Sequence, residues 1–156
     1  METEGDTSAV KAEIDRFARS EGERARRALI AYFGVEVGTD AWRHAMAEVG
    51  LRWDEVSGMT NPVGYVVRLG RMHGRSGRRS TFPSTDRLQS AYDGAMVDLF
   101  GALAEVRPEQ RAALMLVKAY GCTPQEAAAA LEIPEGTVAH HVRRGLSRLR
   151  WFLEVE

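Results

Sequence analysis

Helical spacing of the apolar residues is the feature that most constrains the fold of this chain. Apolar side chains recur at steps of three and four through most of its 156 residues, and no segment sustains the alternation of a half-buried strand. Val138, Val142 and Leu146, for example, fall on one stripe of a predicted helix. The pattern predicts an all-α fold.

Breaks in the helical pattern divide the chain into two predicted domains. Helical spacing covers residues 9–33, a second segment capped by Thr39, and a third opened by the cap and first-turn pair Asn61-Pro62. Residues 74–90 are rich in Gly, Ser, Arg and Pro, as linkers are. The predicted division is a helical domain over residues 1–80, a linker over 81–91 and a helix-turn-helix domain over 92–156.

Composition favours a cytoplasmic protein that needs no metal or cofactor. Hydrophobic residues make up 44% of the chain and charged residues 28%, no apolar run is long enough to span a bilayer, and the first residues do not resemble a signal peptide. Cys122 is the only cysteine, which excludes an internal disulfide and a cysteine-based zinc site. No nucleophile–base set, phosphate-binding glycine loop or metal-ligand spacing among the four histidines is evident. We therefore expect no catalytic residues, no metal, no cofactor and no membrane partner.

Positive charge is concentrated in two stretches of a nearly neutral chain. The net charge is −1, but residues 68–87 contain six arginines and one acid, and residues 139–150 contain four arginines, two histidines and no acid. Two basic stretches suggest surfaces that face an anionic polymer. The alternative is ordinary solvated arginine.

The segment after residue 122 carries the signals of a helix-turn-helix. Thr123 and Glu126 form a capping box, with Pro124 in the first turn of a short helix. Residues 127–130 are four alanines, which allow a following helix to cross closely, and residues 132–134 form a turn from which Ile133 packs into the core. A long helix then covers residues 135–153.

This long helix has a polar face opposite its apolar stripe. That face is suited to the major groove of DNA, because arginine binds guanine or phosphate and a helix N-terminus binds phosphate. The candidate DNA-binding residues are Gly136, Thr137, His140, His141, Arg143, Arg144, Ser147 and Arg148. The alternative is a three-helix bundle with a solvated basic face.

These residues resemble region 4 of bacterial RNA polymerase sigma factors of the extracytoplasmic-function group. The shared elements are Pro108-Glu109-Gln110-Arg111, Tyr120-Gly121, Glu126 before two alanines, Ile133-Pro134-Glu135-Gly136-Thr137-Val138, Arg144 and Leu149-Arg150. In that group region 4 reads the upstream promoter element. The resemblance therefore implies promoter DNA and core RNA polymerase as partners, with an anti-sigma protein as a further candidate.

The N-terminal half resembles region 2 of the same group more weakly. Its promoter-melting helix corresponds to the segment after Asn61, so the resemblance implies candidate downstream-promoter contacts at Tyr65, Arg68, Arg71, Arg75, Arg78 and Arg79. Candidate polymerase contacts are Asp40, Trp42 and Met46. Departures from the group include Trp42-Arg43 and Met46 at its acidic and glutamine positions, Met72 and Ser76 in the melting helix, and Glu132 at a turn position where glycine is common.

Three hypotheses follow. The leading one is a sigma-factor-like initiation protein that is not an enzyme. The first alternative is a DNA-binding regulator that keeps the sigma architecture without initiation activity. The second is a protein-interaction module that acts on polymerase or on an anti-sigma partner without binding DNA.

Overall fold

The computed structural model of the chain describes residues 2–77 and 93–154. Within these ranges all regular structure is helical and no strand is present, so the predicted all-α class is confirmed. The helices are α1 Glu2–Arg19, α2 Glu21–Phe33, α3 Val35–Leu51, α4 Trp53–Ser57, α5 Pro62–Gly77, α6 Gly94–Ala104, α7 Pro108–Leu114, α8 Pro124–Leu131 and α9 Glu135–Glu154. A π-helical turn over Met115–Ala119 continues α7. We call α1–α5 the N-terminal bundle and α6–α9 the C-terminal bundle.

Helix α2 is the centre of the N-terminal bundle. It packs against α3 and α5, which also pack against each other. It buries Leu29 and Tyr32, and two glycines allow the neighbouring helices to approach closely. A Cβ atom at Gly38 of α3 would lie 2.6 Å from Ile30 Cα, and one at Gly70 of α5 would collide with the side chain of Leu29. The three helices therefore hold one another in a fixed arrangement.

Two predicted helix boundaries in this bundle were wrong. The single helix predicted over residues 9–33 is two helices that meet at Ser20, whose hydroxyl donates to a backbone carbonyl one turn earlier at 2.8 Å. Such a bond competes with the helical ladder. Helix α3 begins at Val35, ahead of the predicted cap Thr39, because Gly34 redirects the chain with a φ of 88°.

One buried arginine joins the two bundles. Arg111 of α7 is 3% exposed, and its guanidinium donates to Ala31 O at 2.6 Å and to Tyr32 O at 2.7 Å, at the C-terminal end of α2. It also donates to Leu103 O at 3.4 Å and to Val106 O at 3.2 Å. A cation is favourable there because the last carbonyls of a helix carry partial negative charge. Burial lowers the pKa of Arg111 to about 10, so the side chain stays charged at neutral pH.

A second contact between the bundles lies where α5 meets α8. Asn61 caps α5 as predicted, because its Oδ1 accepts a hydrogen bond from Gly64 N at 3.1 Å. Its Nδ2 also donates to Ala129 O of α8 at 2.8 Å. A Cβ atom at Gly64 would lie 2.8 Å from that same carbonyl oxygen, so a glycine is required for this approach.

The division into domains 1–80 and 92–156 with a linker over 81–91 remains a prediction, since residues 78–92 lie outside those that the structure describes. On either side of that gap, the two bundles are in direct contact through Arg111 and through the α5–α8 approach.

Candidate nucleic-acid interface

The predicted capping box holds the start of α8. Thr123 Oγ1 accepts from Glu126 N at 3.1 Å, and Thr123 N donates to Glu126 Oε1 at 3.1 Å, with Pro124 in the first turn. The pKa of Glu126 is lowered, chiefly by the hydrogen bond from the Thr123 backbone and next by the positive charge of Arg24. Arg24 of α2 also donates to the Glu126 carboxylate, so the cap is connected to the N-terminal bundle.

Small residues bring the long helix α9 close to its neighbours. Ala127 and Ala130 of α8 are fully buried, as is Val138 of α9. Farther along α9, a Cβ atom at Gly145 would lie 3.4 Å from Gln110 O of α7. These contacts fix one side of α9 and leave its opposite side to solvent.

The turn between α8 and α9 contains a strained residue. Glu132 adopts the left-handed conformation, with φ 55° and ψ 45°, which costs a residue other than glycine roughly 1–2 kcal/mol. Its carboxylate accepts two hydrogen bonds from the guanidinium of Arg68 in α5, at 3.0 Å and 3.1 Å. Ile133 packs against the core, as predicted. The residue that strains the turn therefore supplies an ion pair between the bundles.

The outward side of α9 carries most of the predicted DNA-binding residues. Exposed side chains or backbone are found at Gly136, His140, Arg143, Arg144, Ser147 and Arg148. Thr137 and His141 are half-buried, and His141 Nδ1 is buried without a hydrogen-bond partner. The helical arrangement thus assembles one continuous polar and basic face, which we call the α9 face.

Positive charge on the α9 face is not neutralised within the described part of the chain. Arg143, Arg144, Arg148 and Arg150 make no ion pair there, whereas arginines of α2 and α5 pair with acids. An unpaired, exposed guanidinium keeps its donors available for phosphate or for a base edge.

A groove runs along the α9 face toward the corner between α6 and α7. Its volume is about 740 Å³, and its lining includes His140, Arg144, Arg148 and Trp151. The Arg148 guanidinium lies 5.4 Å from the ring centre of Trp151 and 5.0 Å from that of Phe152. Cation–π contacts of this kind hold the Arg148 side chain over the C-terminal half of α9.

The candidate downstream-promoter contacts on α5 are mostly engaged with other residues. Tyr65 Oη accepts from Arg52 at 3.0 Å, and Arg68 is paired with Glu132. Arg71 lies 3.8 Å from Glu109 of α7 and 4.3 Å from the ring centre of Tyr32. Arg75 is exposed, and Arg78 and Arg79 lie outside the described residues.

The candidate polymerase contacts on α3 differ in exposure. Asp40 is exposed, whereas Trp42 and Met46 are half-buried against the core. Trp42 Nε1 donates to Gly22 O of α2 at 2.8 Å, which ties this indole to the bundle. Exposed side chains of α3 beside them include Arg43, His44 and Glu48.

One cluster was missed in the sequence. Asp40 and His44, one turn apart on α3, meet His73 of α5, and their ligand atoms all lie within 4.8 Å of one another. The spacing of four between Asp40 and His44 was the available signal. The position of His73 depends on how α3 and α5 pack, which local spacing does not reveal.

A comparison with protein families identifies the C-terminal bundle. Residues 97–149 match the family model described as sigma-70, region 4. The C-terminal bundle is therefore similar to a sigma-70 region 4 domain. The matched residues include the capping box, the turn at Glu132 and the arginines Arg143, Arg144 and Arg148 of the α9 face.

The fold of the described chain is also similar to that of a solved sigma factor. It matches the sigma factor RpoE of Bartonella quintana, solved in complex with the anti-sigma factor NepR, at a TM-score of 0.63 and 18% sequence identity. The match covers 92% of this chain and 98% of that one, so it extends beyond region 4 into the N-terminal bundle. A search of curated proteins gave no match.

No helix in the described ranges is both long enough and apolar enough to cross a membrane.

Proposed function

We propose that this protein is a sigma-factor-like transcription initiation protein. Region 4 binds promoter duplex through the α9 face, and the N-terminal bundle contacts core RNA polymerase. The observation that carries the proposal is the contrast between the α9 arginines, which have no acidic partner among the described residues, and Arg68 and Arg71, which have one. A fixed helix with an unpaired basic face is the arrangement that enters a major groove.

Position along α9 separates two kinds of DNA contact. His140, Arg143 and Arg144 lie in the first turns of the helix, the part that approaches base edges in helix-turn-helix complexes. Arg148 lies farther along, held by aromatic rings, and is better suited to a phosphate.

The first prediction distinguishes these two roles. Replacing Arg144 with alanine is expected to weaken binding to the preferred duplex by about 1–3 kcal/mol, because a bidentate base contact is lost. The difference in affinity between specific and scrambled duplexes should become smaller. Replacing Arg148 with alanine should weaken all sequences alike and reduce the salt slope by about one unit, because one phosphate contact is lost. Fluorescence anisotropy with specific and scrambled duplexes across salt concentrations measures both effects.

Arg43 of α3 is the matched control, because it is an exposed arginine in the other bundle. Its replacement with alanine should leave duplex affinity unchanged. If replacing Arg143 and Arg144 together with alanine leaves duplex affinity intact, α9 does not bind the DNA. The alternative function, a protein-interaction module, would then be favoured.

Downstream promoter contact by α5 would require a rearrangement. Arg68 and Arg71 pair with Glu132 and Glu109, which both belong to region 4. The Glu132 carboxylate accepts two hydrogen bonds from Arg68 and so occupies donors that a phosphate would otherwise use. Glu109 lies near Arg71 without a hydrogen bond to it. We infer that the two bundles move apart, exchanging these ion pairs for DNA, when both promoter elements are bound.

The remaining partners follow from the same proposal. Core polymerase binds the N-terminal bundle near α3, at or beside Asp40, Trp42 and Met46. An anti-sigma protein is a candidate regulator, since the similar RpoE chain was solved with one. The protein acts in the cytoplasm and performs no catalysis of its own.

A further inference from the structure

Three side chains with metal-binding atoms converge between α3 and α5. Asp40 and His44 share one side of α3, and His73 faces them from α5. Asp40 Oδ2 and His73 Nε2 are 3.3 Å apart, and the two imidazole rings stack with centres 3.8 Å apart. The cluster is accessible to solvent, since Asp40 and His44 are exposed and His73 is half-buried.

The backbone that carries these side chains is held firmly. Gly38, two residues before Asp40, sits against the backbone of α2, where a Cβ atom would be 2.6 Å from Leu29 O. Gly74, adjacent to His73, sits against the Phe33 ring of α2, where a Cβ atom would be 2.6 Å from Cε2. Because both helices are fixed to α2, the ligands are brought together by the packed fold and not by a mobile loop.

The spacing of the donor atoms suits a small transition-metal ion. Two ligand atoms that each lie about 2.1 Å from a tetrahedral zinc are about 3.4 Å apart, close to the 3.3 Å between Asp40 Oδ2 and His73 Nε2. His44 stands next to that pair, and its exposed side chain has room to rotate onto the same ion. In the metal-free chain a hydrogen bond joins Asp40 to His73 and His44 stacks on His73, so binding of an ion requires His44 to rotate out of this stack.

The chemistry of the donors selects the class of ion. Two imidazole nitrogens and one carboxylate oxygen suit Zn²⁺, Ni²⁺, Co²⁺ and Cu²⁺, whereas Mg²⁺ and Ca²⁺ prefer oxygen ligands alone. A site with three protein ligands also leaves a coordination position for water or for a ligand from another molecule.

We propose that Asp40, His44 and His73 form an open binding site for a divalent transition-metal ion, with Zn²⁺ as the representative ion. This runs against the sequence-based expectation that the protein binds no metal. The bound ion joins α3, which carries the candidate polymerase contacts, to α5, which carries the candidate promoter contacts. Metal binding therefore raises the free energy of unfolding of the N-terminal bundle. Above the dissociation constant, this increase grows with the logarithm of the free metal concentration.

The test uses the untagged full chain and two readouts. Calorimetric titration with Zn²⁺ should give one ion per chain, and Co²⁺ should give the visible d–d absorption of a site with bound imidazole. Asp40→Asn, His44→Ala and His73→Ala should each weaken Zn²⁺ binding by at least about tenfold. A control variant with both His140 and His141 replaced by alanine removes two histidines from α9, as many as the double His44 and His73 variant removes, and should bind Zn²⁺ normally.

Thermal unfolding separates metal binding from a structural role. In chelator, the wild-type chain and the three α3 and α5 variants should unfold at similar temperatures, because Asp40 and His44 are exposed and His73 is only half-buried. Added Zn²⁺ should raise the unfolding midpoint of the wild-type chain and of the α9 control, and should leave that of the three α3 and α5 variants unchanged. Absence of stoichiometric binding, or binding that survives loss of both His44 and His73, would overturn the proposal.

Discussion

Replacing Arg111 with methionine is expected to lower the free energy of unfolding by about 2–6 kcal/mol. Ala31 O and Tyr32 O would lose their guanidinium donor at the buried junction between α2 and α7, and each buried acceptor left unsatisfied costs about 1–3 kcal/mol. Urea unfolding followed by circular dichroism measures the loss.

Arg107 provides the control for this experiment. It lies one turn before Arg111 but is exposed, so its replacement with methionine should change stability by no more than about 0.5 kcal/mol. The opposing term is the cost of burying a charge, which is visible in the lowered pKa of Arg111. An unchanged midpoint for Arg111→Met would mean that relief of this cost equals the lost hydrogen bonds, and that Arg111 does not tie the bundles together.

Replacing Gly64 with leucine is expected to lower the free energy of unfolding by about 1–3 kcal/mol, the usual cost of overpacking. The new Cβ atom would lie 2.8 Å from Ala129 O and 2.8 Å from Glu132 Cγ, and backbone cannot yield as a flexible side chain can. The two bundles should stay joined, because the buried Arg111 also connects α7 to α2. Urea unfolding followed by circular dichroism measures the loss.

Gly50 is the matched control, because it also lies within a helix but has open space where a side chain would go. Gly50→Leu should not lower the free energy of unfolding. A Gly64→Leu chain as stable as the wild type would contradict the described approach of α5 to α8.

Local signals in the sequence were sufficient to predict the helix-turn-helix. The capping box at Thr123 and Glu126, the alanines of α8 and the stripe of α9 depend on residues within a few turns of one another, and each is present in the structure. The start of α5 at Asn61-Pro62 was predictable for the same reason. These features are set by hydrogen bonds and spacing within one helix or between adjacent helices.

Contacts between distant segments were not predictable from local patterns. Arg111 looks like a surface arginine in the sequence, yet it is buried against α2, about eighty residues away. Glu132 stands where a glycine would relieve strain, and its partner Arg68 lies in the other bundle. The cluster of Asp40, His44 and His73 depends on the packing of two helices. In each case the informative partner is remote in sequence.

Reconstitution with core RNA polymerase on a promoter library tests the central claim most directly. Binding and transcript start sites would be scored for the wild-type chain and for a chain in which Arg143 and Arg144 are both alanine. The proposed function predicts that the wild-type chain directs transcription from defined start sites that share an upstream element, and that the double variant loses this selection. Duplex binding without any transcript above that of core enzyme alone would contradict initiation and indicate a DNA-binding regulator with sigma architecture.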